Sequence, residues 1–468
     1  MKVHGITHSV CAQCSSIVPA RIETDDRAVF FRKFCPSHGE STTRIHGAPG
    51  DYLAAHRYVK PALRPDCFHG DSKAACPDGC GFCERHEQHL CMPIIEITSR
   101  CDLSCPACIN SSGENSGGEM SLNEFRQVLD RVLAAERQID VLNISGGEPL
   151  RHPELFPIID EALSREGIIR VSISTNGLRF LEEPRLLAEL HARKVVISLQ
   201  FDGFTEVPYT LFRGRPLVEE KRSILKMLKD MGTTTSLTMT VAGGINDDQI
   251  RTLLDLLFSE PHIVSVMLQP LAFTGRGISL SGKAEKLSIP DVLQRIEDAG
   301  HPSVRKGDFV PLPCSHPLCF SLAFYLALEE GRAVSVNRLA DAGTVIDSLS
   351  NRVVFGLDSK EHERLKSMIY DLWSGPAGAV PESKAVLQTL RDILRELSKD
   401  PCCSFDPRKT FAVAERRVKS IFIHAFQDAD TFDLARVRRC CQGYPQSDGR
   451  LLPACVRNVI RIGMAERC

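Results

Sequence analysis

Two segments of the chain repeat one uncommon cysteine spacing. CPDGCGFC occupies residues 76–83 and CDLSCPAC occupies residues 101–108, so both read Cys-x-x-x-Cys-x-x-Cys. Three thiolates at this spacing can hold three corners of a [4Fe–4S] cube and leave the fourth iron open to an exogenous ligand. The sequence therefore predicts two metal-binding loops, and their surroundings must decide which one carries chemistry.

The second triad directly follows an apolar stretch, PIIEIT at 93–98, that is typical of a buried strand. The next predicted strand ends in Gly146-Gly147-Glu148-Pro149. Two glycines allow a backbone to approach a ligand closely, and Glu148 offers a carboxylate to an amino group. No such segment follows the first triad at a comparable distance. We therefore expect Cys101, Cys105 and Cys108 to be the catalytic triad.

From residue 93 onward, apolar strands alternate with amphipathic helices. The predicted strands are 93–98, 141–145, 169–174, 195–201, 235–241 and 264–271. The predicted helices are 121–136, 154–166, 184–193, 219–231 and 247–259. This alternation predicts an α/β fold whose parallel sheet is covered by helices and binds ligands at the carboxyl ends of its strands. Six such units fit either an open sheet or a partial barrel.

The composition indicates a large, neutral protein rich in cysteine. The 468 residues carry a formal net charge of −2 and include 19 cysteines. A balanced charge gives no field for nucleic acid, and no stretch reaches the length of a transmembrane segment. We expect a cytoplasmic protein whose clustered cysteines are metal ligands rather than disulfides.

The second triad and the Gly-Gly-Glu-Pro segment together resemble the radical S-adenosylmethionine (SAM) superfamily. The resemblance implies a partial (βα)6 barrel in which SAM chelates the open iron of the cluster held by Cys101, Cys105 and Cys108. One electron then cleaves the sulfonium, and a 5′-deoxyadenosyl radical abstracts hydrogen from the substrate. The implied SAM contacts are Gly146, Gly147, Glu148, Asn176, Ser198, Gln200, Thr240 and Gln269. One position departs from the family pattern, because Ala107 stands where an aromatic residue usually precedes the third cysteine.

The first triad is predicted to hold an auxiliary [4Fe–4S] cluster through Cys76, Cys80 and Cys83. His86 or a distant cysteine would complete the ligand set. Thiolates suit zinc as well as iron, so a structural zinc site remains an alternative.

The N-terminal segment contains a CxxC…CxxH set: Cys11, Cys14, Cys35 and His38. Four such ligands form a closed tetrahedral site for zinc or, as in rubredoxin, a single iron. This set predicts an N-terminal metal module over residues 1–48, followed by a connector over 49–92 that carries the first triad.

The last part of the chain, 281–468, is predicted to be a helical, cysteine-rich region beyond a barrel over 93–280. Helices are expected at 362–373 and 383–399. We expect a second auxiliary cluster among Cys314, Cys319, Cys440, Cys441 and Cys455, with only one of the adjacent Cys440 and Cys441 binding. The Cys402–Cys403 pair is a weaker candidate, and Cys67, Cys91 and Cys468 are interpreted as buried or incidental.

The order of motifs along the chain narrows the resemblance. CPSHG at 35–39, FTGRG at 273–277, PCSHPLC at 313–319 and FDLARVRRCC at 432–441 look like the tetraether lipid synthase-like group of radical SAM proteins, although the final LLPAC departs from the more aromatic form expected. That likeness implies carbon–carbon bond formation between lipid alkyl chains. Modification of a small molecule such as a pterin, or of a peptide, remains the alternative. A non-catalytic zinc scaffold is a third reading, which the balanced charge disfavours.

Two further partners are expected. An electron donor such as flavodoxin or ferredoxin must reduce the cluster. The basic residues Arg213, Arg215 and Lys221 are interpreted either as a grip for a phosphate or carboxylate group of the substrate or as a solvated loop.

Overall fold

The computed structural model describes residues 1–340, 342–349, 382–397, 407–446 and 448–462, apart from positions 71, 72, 74, 75 and 78. It also describes the isolated residues 352, 363, 366, 367, 369 and 370. The expected helix at 362–373 lies largely outside the described residues, as do the Cys402–Cys403 pair and Cys468.

The N-terminal module is a four-stranded antiparallel sheet with strands in sequence order. Its strands are β1 (Lys2–Val10), β2 (Ile17–Thr24), β3 (Val29–Cys35) and β4 (Gly39–His46). The two short turns β1–β2 and β3–β4 carry Cys14 and His38, so the hairpins bring the four predicted ligands to one end of the sheet.

The second sheet contains the parallel core of the protein. Its six central strands are β5 (Met92–Thr98), β6 (Ile139–Gly146), β7 (Ile168–Thr175), β8 (Val196–Gln200), β9 (Thr235–Val241) and β10 (Ile263–Pro270). They pair in sequence order and in parallel. All six predicted strands are confirmed to within two residues at each end.

Strands from the C-terminal region extend this sheet at both edges. They are β11 (Val310–Pro311), β12 (Phe320–Ala327), β13 (Ala333–Ser335), β14 (Val418–His424), β15 (Gln442–Pro445) and β16 (Leu451–Pro453). Strand β14 pairs in parallel with β10, and β15 pairs in parallel with β5. The sequence did not predict these additions, because the β14 strand lies far along the chain from its partner.

Amphipathic helices cover the outer face of the sheet. The helices of the barrel region are Leu122–Glu136, Leu155–Ser164, Arg179–Glu182, Pro184–Ala192, Glu206–Arg213, Val218–Met231 and Ile250–Ser259. The others are Pro49–Ala55, Ile289–Asp298, Ala342–Ser348, Ser383–Leu397, Pro407–Arg417, Leu434–Arg438 and the final helical segment Val456–Ile462. The five predicted barrel helices are confirmed, and the short helices Arg179–Glu182 and Glu206–Arg213 were missed.

Sequence features explain where the helices begin. Ser121 and Glu124 form the predicted capping box, in which each side chain satisfies a free backbone amide at the helix start. The buried residues Phe125, Val128, Leu129 and Val132 then repeat with helical period and pack on the sheet. None of the helices in the described part of the chain is long and apolar enough to cross a membrane.

Candidate active site

A cavity of about 470 Å³ occupies the inner face of the sheet. Alternate residues of each strand point into it, as the period of two in a strand requires. Its lining includes the cysteines Cys101, Cys105 and Cys108 and the predicted SAM contacts Gly147, Glu148, Asn176, Ser198, Gln200, Thr240 and Gln269. The structure therefore brings all but one of the predicted catalytic and cofactor-binding residues to a single cavity, and Gly146 is the exception.

The two glycines of the Gly-Gly-Glu-Pro segment hold the loop after β5 against the end of β6. A Cβ on Gly146 would lie 2.1 Å from the Thr98 carbonyl oxygen, and one on Gly147 would lie 2.2 Å from the Arg100 carbonyl oxygen. Gly147 N–H donates to Thr98 O at 2.7 Å. Only glycine fits at both positions, so this pair positions the start of the cysteine loop. Gly146 supports the cavity without lining it.

Glu148 is buried and fixed from three directions. Its carboxylate accepts hydrogen bonds from Thr175 Oγ1 at 2.7 Å, from the Asn176 backbone at 2.8 Å and from the Leu150 backbone at 3.1 Å. Burial raises the pKa of Glu148 to about 7. A cation at this position would stabilise the ionised carboxylate, so the geometry suits an amino group.

Two acids that sequence reasoning did not select, the partly buried Asp102 and the buried Asp202, lie beside the predicted contacts. Asp102 Oδ1 accepts from Asn176 Nδ2 at 2.6 Å. Asp202 receives a two-pronged ion pair from Arg213, at 2.6 and 2.8 Å, and Arg213 also donates to Thr240 Oγ1 at 2.9 Å. Asp202 follows β8 in the SLQFDG segment, and that position at a strand end was the available signal.

The three basic residues predicted to grip a substrate have different positions. Arg215 is exposed and pairs with Glu220 on the surface. Lys221 is fully buried, and its ammonium donates to Asn176 O, Gln200 O and Gln200 Oε1 at 2.6 to 2.8 Å. Arg213 lines the cavity but is paired with an acid. The prediction that they form one cluster is wrong, because Arg213 and Lys221 are bonded to groups inside the protein whereas Arg215 lies on the surface.

The FTGRG segment clamps the cysteine loop. Arg276 donates from its side chain to Cys105 O at 2.9 Å and Ser112 O at 2.6 Å, and its backbone N–H donates to Cys108 O at 3.1 Å. These three bonds fix the second and third cysteines from the far side of the barrel. The FTGRG segment therefore positions the cysteine loop, a role that its sequence alone did not indicate.

The N-terminal ligand set is the tightest in the described residues. The ligand atoms of Cys11, Cys14, Cys35 and His38 all lie within 4.8 Å of one another. His38 Nδ1 is 3.6 Å from Cys11 Sγ and 3.5 Å from Cys35 Sγ. Three sulfurs and one imidazole nitrogen at this separation fit one tetrahedral metal ion.

The first cysteine triad packs away from the cavity. Cys76 and Cys80 belong to an apolar cluster with Phe432, Val437 and Cys455, so the end of the chain covers them. His86 Nε2 is 2.8 Å from the Cys440 carbonyl oxygen, and its ring packs on Phe82 at 4.0 Å between centroids. The Nε2 atom of His86 is therefore occupied while Nδ1 stays available for a metal, and Cys455 is a cysteine that the fold brings into the same apolar cluster as Cys80.

Cys91 was expected to have a buried or incidental role, and its burial is confirmed in an apolar cluster that also holds Cys314 and Cys441. Its thiol makes hydrogen-bonding contact with the thiols of Cys314 and Cys441. These contacts, together with complete burial, raise the pKa of Cys91 well above the ordinary value. The residue precedes β5, and nothing in its local sequence indicated that two cysteines more than 200 residues away would meet it.

The remaining C-terminal cysteines face a second location. Arg436 Nε donates to Cys319 Sγ at 3.3 Å. Burial raises the pKa of Cys440, and the neighbouring thiols of Cys455, Cys441 and Cys319 raise it further. Cys441 therefore lies near Cys440 and Cys319 as well as near Cys91 and Cys314. The expectation that only one of Cys440 and Cys441 binds a metal stays a prediction.

Comparison with known proteins assigns the domain that holds the cavity. The family model "Radical SAM superfamily" matches residues 95–257, which cover β5 to β9 and the second triad. The chain contains a radical SAM domain. A second model, "HMPTM N-terminal zinc ribbon domain", matches residues 3–47, the region of the four-ligand site. The radical SAM fold predicted from the two motifs is confirmed.

Individual relatives differ in how much of the radical SAM enzyme they cover. A 7,8-dihydro-6-hydroxymethylpterin dimethyltransferase of Methanocaldococcus jannaschii is 26% identical over 97% of this chain and 93% of its own length. A GTP 3′,8-cyclase of Peptoclostridium acidaminophilum is 32% identical over 38% of this chain and 54% of its own length. The structure of Streptococcus suis SuiB bound to S-adenosylmethionine matches with a TM-score of 0.33 and 16% identity over 39% of this chain and 40% of that chain. These similarities give lipid coupling no support.

Proposed function

We propose that this radical SAM enzyme modifies a small heteroaromatic molecule of the pterin type, most simply by methylation. The observation that carries the proposal is the similarity to a pterin dimethyltransferase over nearly the full length of both chains. Such coverage includes the N-terminal module and the C-terminal strands as well as the barrel. It favours the small-molecule alternative over the lipid reaction expected from the order of the motifs.

The residues of the cavity fit the cofactor that the domain implies. Cys101, Cys105 and Cys108 would hold three irons of a [4Fe–4S] cluster, since all three line the same cavity and their loop is fixed by Arg276. With SAM bound, that group supplies a primary carbon radical able to remove hydrogen from a strong C–H bond. Glu148 would hold the SAM amino group, and Asn176, Ser198, Gln200, Thr240 and Gln269 would line the remainder of its site.

The other metal sites are assigned by their donor sets. Cys11, Cys14, Cys35 and His38 would bind zinc or a single iron. Cys76, Cys80 and Cys83 with Cys455 would hold one auxiliary cluster. Cys91, Cys314 and Cys441 would contribute to a second, and Cys319 and Cys440 lie between these two groups. The proposed division of the chain is 1–48, 49–92, 93–280 and 281–468, and a donor such as flavodoxin or ferredoxin would supply electrons.

A label-transfer experiment tests the proposed substrate class. The source cells are grown in deuterated medium, and their extract is separated into lipid and aqueous pools. Each pool is offered to the anaerobically reduced, cluster-reconstituted protein with SAM, and the mass of 5′-deoxyadenosine is measured. Unlabelled 7,8-dihydro-6-hydroxymethylpterin is tested in parallel for a gain of one or two methyl masses.

Deuterium from the aqueous pool and methylation of the pterin are the expected results. Deuterium only from the lipid pool would contradict the proposal and restore carbon–carbon coupling of alkyl chains. The Cys105→Ala variant is the matched control, because loss of one cluster ligand must abolish formation of 5′-deoxyadenosine from either pool.

A further inference from the structure

One wall of the cavity, formed by β12 and β14 beside β10, is aromatic. Phe320 and Phe324 of β12, Phe422 of β14 and Phe426 just beyond β14 line the cavity. Phe320 and Phe422 pack at 5.8 Å between ring centroids, and Phe324 meets Phe422 edge to face at 6.2 Å. Both strands come from the C-terminal region, outside the residues 95–257 matched by the radical SAM model. The aromatic wall therefore lies outside the part of the chain that matches the radical SAM model.

The central strands β6, β7, β9 and β10 carry small hydroxyl and amide side chains. Asn143 Nδ2 donates to Ser172 Oγ at 2.8 Å, and Ser265 Oγ donates to Ser236 Oγ at 2.7 Å. These groups line the same cavity as the aromatic rings. A cavity lined by aromatic rings and by hydroxyl groups is suited to a planar molecule with a polar edge.

One imidazole within the aromatic wall has an unused nitrogen. His424 ends β14 and lines the cavity, and its side chain packs between Phe426 at 4.2 Å and Phe320 at 5.1 Å. The residue is 7% exposed. Within the described part of the chain, its Nδ1 atom is buried and has no hydrogen-bond partner. Burial lowers the pKa of His424 to about 3, so the ring is neutral at physiological pH and can donate from one nitrogen and accept at the other.

A second unused polar atom lies on the strand at the opposite edge of the sheet. Gln442 is 5% exposed and lines the cavity from β15, and its Oε1 atom likewise lacks a partner among the described residues. A buried polar atom without a partner costs free energy. Two such atoms in one cavity indicate a ligand that supplies the missing hydrogen bonds.

We propose that β12, β14 and β15 form the substrate subsite, in which the phenylalanine wall packs on a planar heteroaromatic ring and His424 Nδ1 and Gln442 Oε1 bind its polar edge. This inference rests on the proposed function, because a pterin-type ring has the N–H and C=O groups that this edge requires. His424 is a substrate-contacting residue, distinct from the residues assigned to SAM.

The test compares substrate binding with SAM binding in the same variants. The reconstituted holoenzyme is saturated with SAM, and the dissociation constant of 7,8-dihydro-6-hydroxymethylpterin is measured by anaerobic equilibrium dialysis. We expect His424→Phe to weaken pterin binding about tenfold while leaving iron content and SAM affinity unchanged. The replacement keeps an aromatic ring in the wall and removes only the nitrogens. His424→Gln, which retains a hydrogen-bonding group, is expected to recover part of the loss and remains informative if His424→Phe folds poorly.

His301→Phe is the matched control. That histidine is also buried and packs on a phenylalanine, Phe258, at 5.1 Å between centroids, but it lies outside the cavity lining. Its replacement is expected to leave pterin binding unchanged. If the wild type binds the pterin and His424→Phe and His424→Gln bind it equally well, the subsite is overturned and the proposed function stands. If the wild type does not bind the pterin at all, the proposed function fails, and the subsite assignment fails with it.

Discussion

The two cysteine triads have identical spacing and opposite surroundings. The triad at 101–108 lines a cavity beside Glu148, Asn176 and Arg213, and it follows a central strand of the parallel sheet. The triad at 76–83 precedes the sheet, and its Cys80 packs among apolar side chains with Cys455. Spacing therefore decides how many thiolates a loop offers, whereas the neighbouring elements decide whether the bound metal remains accessible.

The two triads also differ in the ionisable groups that are buried around them. Around the second triad, ionisable groups are buried in pairs, such as Asp202 with Arg213. Around the first, the buried His86 packs on Phe82, and burial lowers the pKa of His86 to about 4. A site that binds a zwitterionic ligand needs fixed charges, whereas a closed metal site needs only its ligands and a dry environment.

The strongest test of the comparison removes one ligand from each triad. Cys105→Ala is expected to abolish SAM cleavage, with a loss of at least about a thousandfold in the rate of 5′-deoxyadenosine formation, because an intact open cluster is required. Cys80→Ala is expected to retain substrate-independent cleavage of SAM and to lose about one cluster of iron. The measurements are 5′-deoxyadenosine by mass spectrometry and iron per protein.

Equal loss of SAM cleavage in both variants would remove the functional distinction between the triads. Cys67→Ser serves as the control, because Cys67 lies outside both triads and is expected to preserve iron content and activity.

The next test addresses the carboxylate that accompanies only the second triad. Glu148→Gln is expected to weaken SAM binding about 10–100-fold, since a charge-assisted hydrogen bond to the amino group is lost. Iron content should not change, because Glu148 holds no metal. Binding to the reconstituted protein can be measured by equilibrium dialysis, and Glu124→Gln on the helix surface is the control. Unchanged affinity in Glu148→Gln would mean that the SAM amino group binds elsewhere.

A third test concerns the thiol that the sequence did not predict to bind. Cys91→Ser is expected to lower the iron content by about one cluster, because Cys91, Cys314 and Cys441 meet in the structure. Iron and sulfide analysis, with Mössbauer spectra of ⁵⁷Fe-reconstituted protein, measures this directly. Iron content equal to that of wild type would return Cys91 to an incidental role.

The smallest effect is a pH dependence around the second triad. Burial lowers the pKa of Lys221 to about 7, from about 10.4 in an unfolded chain. Between these values the unfolded state binds more protons, so the free energy of unfolding should rise with pH, by at most about 1.4 kcal/mol per pH unit. Lys221→Met should lack this rise. Denaturant unfolding of both proteins between pH 7.5 and 9.5 measures the difference in slope, and parallel slopes would show that the ammonium keeps its proton in the fold.

Much of the barrel could be predicted from the sequence because its signals are local. Apolar runs and helical periodicity located all six central strands and their helices, and Gly146 to Glu148 could be recognised as a ligand-approach segment. The C-terminal strands were missed because β14 pairs with β10 across a long stretch of chain. Local sequence carries no information about which distant strand will meet an open sheet edge.

The residues of the site can also be divided into those that local sequence predicts and those that it does not. Cys101, Cys105 and Cys108 could be assigned from spacing and position, whereas Asp202, Arg276 and His424 could not. Their roles depend on contacts that local sequence does not indicate, such as the bond from Arg276 to the carbonyl of Cys105. The order of the motifs also favoured a lipid substrate, while similarity along the whole chain supports a pterin-type substrate.

The sequence by itself determined the ligand types, the repeated triad and the alternation that produces a parallel sheet, because these depend on residue chemistry and on short-range periodicity. Only the tertiary structure decided which residues surround each triad, which cysteines meet Cys91, and that His424 faces a cavity with an unused nitrogen. Those outcomes depend on burial and on contacts between segments hundreds of residues apart. The free energy of such contacts depends on how the whole fold packs, so it cannot be deduced from the spacing of residues along the chain.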